Sequence, residues 1–511
     1  MPSSPTRIRL AVLLLPMLLV VGLLLSTATA QEPVYGGTLI VGLADDPPQL
    51  DPHLTAANAS RTVLHNIFAT LVEIDENLAI IPGLAQEWTV SPDGLLYTFT
   101  LAEGILFHDG TAMDAEAAAY NFARMLDPEF GSPRASELAF VDEVTVTGPL
   151  TFEVSMTAPF AAFLPALASW TGMMVSPAAV EANENFEDSL VGAGPFMFVE
   201  QVRDDRVVLT RNPNYFREGL PYLDEVIYRT FVDGDSRILN LESGALHIIN
   251  TVPGRNVAAL EAHDEIVLSS VGGLGYRGFY VNTTSADLGD QARRRAVSAC
   301  IDRQVIVNTV FGSAAVPGSS PFSPATWVVD LTDPVPARDL DFAREMLAEA
   351  GVPNGFSFTL LITPDEESIR VGSMMAAMCE EVGITINLQQ TEFGTMLARL
   401  GDGNYTAAQI ELSPRNDPDL SAYPWFHSEA TNWGRLQNAE LDDLLTRARA
   451  AVEIEERCAL YRQVNEILNV EFPFVFTYHM AEMKAYRPEL RGYRHIPDSM
   501  MRFEDVWLAN D

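Results

Sequence analysis

Lysine is nearly missing from this sequence: Lys484 is the only one in 511 residues. With 32 basic residues against 69 acidic ones, the formal charge is −37. A nucleic-acid partner needs clustered lysine and arginine to neutralise phosphates, so none is expected. Docking on anionic lipid is disfavoured for the same reason, and the acidic surplus reads as solubility through self-repulsion. Cysteine is almost as scarce. Cys300, Cys379 and Cys458 are too few for a disulfide scaffold. Each falls in a helical-looking segment, and buried thiols are expected, with a Cys379–Cys458 bridge as the alternative. No long apolar run follows residues 10–25, so nothing downstream is expected to cross a membrane. Low-complexity linkers and internal repeats are also missing, which favours lobes joined by strands over lobes on a tether.

The usual signatures of catalysis are absent too. Neither G-x-S-x-G nor H-E-x-x-H occurs, and the single lysine lacks the glycines of a phosphate-binding loop. Gly273-Leu274-Gly275-Tyr276-Arg277-Gly278 spells G-x-G-x-x-G, but it runs into the strand-like Phe279-Tyr280-Val281 rather than a helix, so no dinucleotide role is expected. The eight histidines show no ligand spacing, and no metal or other cofactor is expected. A chelated nickel held by one histidine leaves no spacing to read; His53 and His427 are the candidates for that. Acidic pairs Asp45-Asp46 and Asp417-Asp419 stand beside proline, where capping a turn is their ordinary work. The chemistry points to binding, not to an enzyme.

What is present begins with an export signal. Arg7 and Arg9 precede the uncharged run Leu10 to Leu25, and Ala28-Thr29-Ala30 supplies the small-x-small cleavage pattern. Residues 1–30 are expected to be removed, leaving a chain long enough for two or three domains. No cysteine lies near that point for a lipid anchor, which points to a periplasm.

Two textures follow. Up to about Phe107, strands such as Thr38 to Leu43 and Leu96 to Leu101 flank a helix beginning near Ser60, whose Val63, Leu64, Ile67, Phe68 and Leu71 form one stripe. A second helix starts at Asp114, and Arg206 to Thr210 and Glu225 to Phe231 are further strands. Beyond Asp290 the pattern is β-α-β-α-β: strand Phe358 to Ile362, a helix ending at Gly383, strand Ile384 to Gln389, a helix ending at Gly401, and strand Ala407 to Leu412. That order predicts a mostly parallel sheet. Ligands bind beyond the carboxyl ends of such strands, so the loop Ser413 to Asp419 is where a site is sought. Tyr423, Trp425, Phe426 and Trp433 follow it closely, and rigid aromatic faces suit an adaptable pocket. Long helices over Glu440 to Asn469 and a strand Phe474 to Tyr478 complete the pattern.

At this point the chain resembles the family-five extracellular solute-binding proteins, the peptide and nickel receptors of ATP-binding-cassette importers. The likeness is carried by Tyr35-Gly36-Gly37-Thr38-Leu39, Leu50-Asp51-Pro52-His53, Pro82-Gly83-Leu84-Ala85-Gln86-Glu87-Trp88, Phe107-His108-Asp109-Gly110-Thr111, Arg211-Asn212-Pro213-Asn214-Tyr215 and Ala299-Cys300-Ile301-Asp302-Arg303. The resemblance implies an α/β class II periplasmic-binding-protein fold, two lobes joined by hinge strands with an extra inserted small domain. The first lobe would comprise 31–72, 186–268 and 479–511, the inserted domain 73–185, and the second lobe 269–478. Hinges are expected near Gly278–Asn282 and Phe474–Tyr478.

It also implies a monomeric periplasmic receptor that captures peptides or peptide-like solutes between the lobes and delivers them to inner-membrane permease subunits. A nickel chelate, a sugar or opine, a glutathione-like solute or a chemosensory role are the alternatives. Oligopeptide and dipeptide receptors hold the peptide's ammonium with an aspartate in the loop after the 407–412 strand. Here Pro414 or Arg415 stands at that place, and Arg415 suits a carboxylate instead. The candidate ligand-binding set is Asn58, Asn250, Arg415, Asp417, Tyr423, Trp425, Asn432 and Trp433. In that set Arg415 anchors an acidic group, the tryptophans cover apolar bulk, and the asparagines meet backbone-like amides.

Overall fold

The computed structural model describes residues 32–55, 57–183, 186–328, 335–412 and 415–509. The expected signal segment, and Ser413 and Pro414 of the loop singled out above, lie outside the described residues.

The chain's acidic surplus is partly spent on starting helices. Asp114, Asp233, Asp290, Asp302, Asp339, Asp365 and Asp417 each stand at an N-cap and accept a hydrogen bond from a backbone N–H of the first turn. A carboxylate there satisfies a donor that the helix leaves orphaned and complements the helix dipole, contributing about 1 kcal/mol per cap. Helix ends follow the expected glycine rule with one shift. The helix Phe393–Asp402 runs past Gly401 and closes at Gly403, whose φ of 72° is left-handed.

Twelve strands form one sheet that divides at a shared strand. On one side lie Ile384–Gln390, Phe356–Ile362, Ala407–Leu412 and Tyr276–Val281, in that order. The first three are parallel, as the β-α-β-α-β order requires, but Tyr276–Val281 is antiparallel to both of its neighbours. The expectation of a mostly parallel sheet therefore holds for that three-strand core and for Thr38–Leu43, which is parallel to both of its neighbours, while the remaining pairings are antiparallel. On the other side lie Ile248–Ile249, Thr38–Leu43, Glu225–Thr230, Arg206–Arg211 and Phe196–Val202.

The shared strand is Phe474–Tyr486, with 13 residues where only Phe474 to Tyr478 were expected. Its first part pairs with Tyr276–Val281 and its last part with Val267–Gly272 and Ile248–Ile249. The crossing between the two halves therefore falls at residues 273–275 and 479–480, a few residues from the expected hinges. The G-x-G-x-x-G run is this crossing. A Cβ on Gly273 would stand 2.4 Å from the Met480 carbonyl oxygen, so backbone proximity explains that glycine.

A separate four-stranded antiparallel sheet, in the order Ala85–Val90, Leu96–Leu101, Thr151–Met156, Val141–Gly148, carries its own core. Phe99 and Phe152 stack at 5.1 Å, and Phe163 meets Tyr97 edge-on at 4.8 Å. In the neighbouring core, the helix Asn58–Ile67 buries Val63, Leu64 and Ile67 completely. That burial contributes about 2 kcal/mol for each side chain and fixes which face of the helix its remaining residues present.

The expectation of buried thiols is overturned for two cysteines. Cys300 and Cys379, both fully buried, are joined as a disulfide with Cα atoms 5.1 Å apart. Cys458 takes no part in it, so the alternative Cys379–Cys458 pairing is excluded as well.

Candidate functional site

Beyond the carboxyl end of Ala407–Leu412 lies a cavity of about 470 Å³. Three separate stretches of chain wall it: Arg61 from the helix Asn58–Ile67, residues from Ser136 to Trp170, and residues from Arg415 to Arg449. Trp170, Phe140 and Phe160 supply apolar faces on one side, and Pro424 and Trp425 on another. This is the mixture of aromatic surface and a few polar groups that a small-molecule site requires. A neighbouring cavity of about 390 Å³, lined by Arg277, Asp365, Glu367 and Glu411, is of a different kind. There Arg277 is already paired with both Glu367 and Glu411.

Arg415 and Trp425 of the candidate set line the larger cavity. Trp433 backs Trp425, with ring centroids 5.1 Å apart, and meets Tyr280 edge-on. Tyr423 sits beneath a second arginine: the Arg449 guanidinium lies 3.3 Å from its ring centre, and His427 stacks on the other side at 4.3 Å. These residues sit together because the helix Pro418–Phe426 begins directly after Arg415 and Asn416. That helix was not foreseen.

The other candidates do different work. Asp417 is buried, caps the helix Pro418–Phe426, and is held in a bidentate ion pair by Arg457 at 2.5 and 2.9 Å. Asp417 is not among the residues that line the cavity. Asn250 does not line the cavity. Its side-chain oxygen accepts from the Ala44 N–H at 3.0 Å, and its carbonyl accepts from Lys484 Nζ at 2.8 Å, tying strand ends together away from the cavity. Asn432 turns inward, where its amide donates to the Leu436 carbonyl at 2.8 Å. Asn58 is exposed at the start of the helix that carries Arg61, three residues before that arginine, and does not line the cavity.

Among the described residues, no histidine lines the cavity. His53 is fully buried, with Nε2 against the Met173 carbonyl and Nδ1 accepting from Arg124, both at 2.9 Å. Burial pulls its pKa down from 6.5 to about 4, with Arg124 and Arg134 adding to that effect, so the ring is neutral near pH 7. His427 has both nitrogens engaged within the protein, with the Glu429 N–H and Thr446. Among the described residues, no cluster of histidine, cysteine and carboxylate side chains is placed to hold a metal.

Sequence reasoning missed Arg61 and Trp170. Arg61 is almost buried, its guanidinium 4.9 Å from the centre of the Trp170 ring, with Nη2 donating to the Asp498 carbonyl at 3.0 Å. Burial lowers its pKa to about 10, opposed by Asp498 and reinforced by the positive charges of Arg415 and Arg502. Arg134 is stacked on the same tryptophan at 4.0 Å and paired with Glu137 at 2.8 Å. Arg61 stands two residues before the apolar pair Val63 and Leu64 in a largely polar helix, so the sequence carried no signal for it.

A mixed α/β sheet divided at a shared strand and an extra small antiparallel sheet make up a periplasmic-binding-protein fold. Residues 79–433 match the model of the bacterial extracellular solute-binding proteins, family 5, and the chain belongs to that family of importer receptors. It is 25% identical over 498 residues to the glutathione-binding protein GsiB of Pectobacterium atrosepticum, covering 95% of this chain and 97% of that protein. The structure of HbpA2 from Haemophilus parasuis superposes with a TM-score of 0.85 at 24% identity, over 93% of this chain and 100% of that one. The periplasmic protein DppA of Helicobacter pylori, in complex with the peptide STSA, gives 0.77 at 25% identity, over 93% and 98%. The family binds solutes and is not enzymatic. Among the described residues, no helix is long and apolar enough to cross a membrane.

Proposed function

We propose that this protein is exported to the periplasm by the signal in residues 1–30 and there captures peptide-like solutes in the 470 Å³ cavity. It then presents them, as a monomer, to the permease subunits of an ATP-binding-cassette importer. The lobes would be 31–72 with 186–268 and 479–511 on one side and 269–478 on the other, with 73–185 inserted. The glutathione-binding and peptide-bound relatives support a peptide-like solute.

One observation carries the reading. Arg415 lines the cavity beside Trp425 and, among the described residues, makes no ion pair and no hydrogen bond. A guanidinium held this way offers two parallel donors to a solute carboxylate, while the tryptophan faces cover its apolar part. Solute that touches both walls at once favours the closed arrangement and so shifts the population toward it. A Kd on the order of 1 μM corresponds to about 8 kcal/mol, within reach of one charge-assisted pair plus aromatic burial.

Native mass spectrometry of the protein taken from a periplasm, followed by denaturation, tests the reading. Release of a peptide-like molecule with a free carboxylate is expected. Arg415→Ala should then weaken the affinity for that molecule by about 2–3 kcal/mol, a factor of roughly 30–150. A released solute with no acidic group, or unchanged affinity in the variant, would overturn the anchor.

A further inference from the structure

The cavity's charge does not match the protein's. The sequence carries −37 overall, yet four ionised side chains line this cavity and three of them are arginines: Arg61, Arg415 and Arg449, against Glu137. Two of the four are accounted for within the protein. Arg449 is paired with Asp419 at 2.8 Å, and Glu137 is matched by Arg134 at 2.8 Å. Arg61 and Arg415 remain, and among the described residues neither forms an ion pair.

Arg61 is the more costly of the two. It is 7% exposed, and the two carboxylates that act on it, those of Asp498 and Glu482, are committed to Arg502 at 2.6 Å and Lys484 at 3.3 Å. Arg61 receives from Asp498 only a neutral carbonyl, through Nη2; Nε points at the Met500 sulfur, and Nη1 has no protein hydrogen bond among the described residues. A buried cation without a counter-charge is expensive. Here the cost is compounded by the positive charge of Arg415, which acts on Arg61 and on Arg134 alike. The two unpaired guanidiniums come from different walls, one from the helix Asn58–Ile67 and one from the loop after Ala407–Leu412. One monoanionic group neutralises only half of this.

We infer that the solute carries two acidic groups, one for Arg415 and one for Arg61, which makes Arg61 a second anion-binding and specificity-determining residue. This rests on the cavity being the solute site. The dianion does two things at once: it supplies each arginine with its counter-charge, and it cancels the repulsion across the cavity. A peptide-like molecule with a single carboxylate leaves one guanidinium buried and unpaired. Discrimination against it follows from that unpaired group rather than from shape.

The test uses wild-type protein stripped of solute by partial unfolding and dialysis, with binding read by thermal shift and calorimetry. The probes are glutathione, which has two carboxylates; its diethyl ester; Ala-Ala-Ala amide; and glutarate, a diacid that is not a peptide. Glutathione should raise the melting temperature, because a ligand of the folded state must stabilise it, and the diester should bind at least about 30-fold more weakly. Arg61→Gln should cut that preference by about tenfold or more, and Arg61→Lys should restore part of it, which a purely structural role for Arg61 would not do.

Equal binding of the diacid and its diester, or a preference that survives Arg61→Gln, overturns the two-acid inference and leaves the peptide reading standing. Binding of glutarate alone upholds the two-acid inference and overturns the peptide reading. No shift with any probe overturns both.

Discussion

Replacing Asp417 with alanine lowers the free energy of unfolding by about 3–5 kcal/mol, the cost of leaving a buried ion-pair partner without its counter-charge. The carboxylate is 1% exposed and holds Arg457, itself 5% exposed, through both of its oxygens. Once alone, Arg457 keeps a carbonyl contact to Ala448 and one to the Tyr461 hydroxyl, neither of which carries charge. The same change removes the cap of the helix Pro418–Phe426, worth about 1 kcal/mol more. That helix holds Tyr423 and Trp425, and Arg415 lies two residues before the cap. Solute affinity should therefore fall together with stability. Urea unfolding gives the first quantity and calorimetry the second. The paired variant Asp417→Leu/Arg457→Met should recover most of the stability, because a packed apolar pair replaces a buried ionic one at little cost. A single variant as stable as wild type would mean that the pair is not formed.

Removing the Cys300–Cys379 disulfide has an effect of similar size. It closes a loop of 79 residues in the unfolded chain, and the chain-entropy relation gives about 4.5 kcal/mol for a loop of that length. Cys300→Ala/Cys379→Ala, or reduction of the wild type, should lower the urea midpoint accordingly. Protein made in a reducing cytosol should resemble the variant. A non-reducing peptide map must show residues 300 and 379 in one linked species; finding both separately alkylated would remove the bond and the prediction with it.

The sequence was most legible where local chemistry dictates structure. Strand Ala407–Leu412 lies where its Ile410/Leu412 alternation with Gln409 and Glu411 placed it, and the helix Ala115–Leu126 starts directly after the Asp114 cap. Legibility failed where distant segments meet. The disulfide joins the ends of two helices whose packing, not their spacing, sets the pairing. Strand Phe474–Tyr486 was cut short because Glu482 and Lys484 look like surface residues. In fact they pair at 3.3 Å under the chain's tail, with the lysine donating to Asn250. The site divided along the same line. Arg415 and Trp425 share one loop and helix and could be named together, whereas Arg61 and Trp170 reach the cavity from positions with no sequence link to them. The capping role of Asp417 was not legible because the helix it caps reads as a continuing loop.

The central claim, that solute is held between Arg415 and Trp425 on one wall and Arg61 and Trp170 on another, is tested most directly by a crystal structure with the released solute bound. The account predicts density in the 470 Å³ cavity, with an acidic group on Arg415, a second on Arg61, and the body of the molecule against the two tryptophans. Solute in the cavity between Arg277, Asp365 and Glu411, with Arg415 and Trp425 untouched, would contradict it.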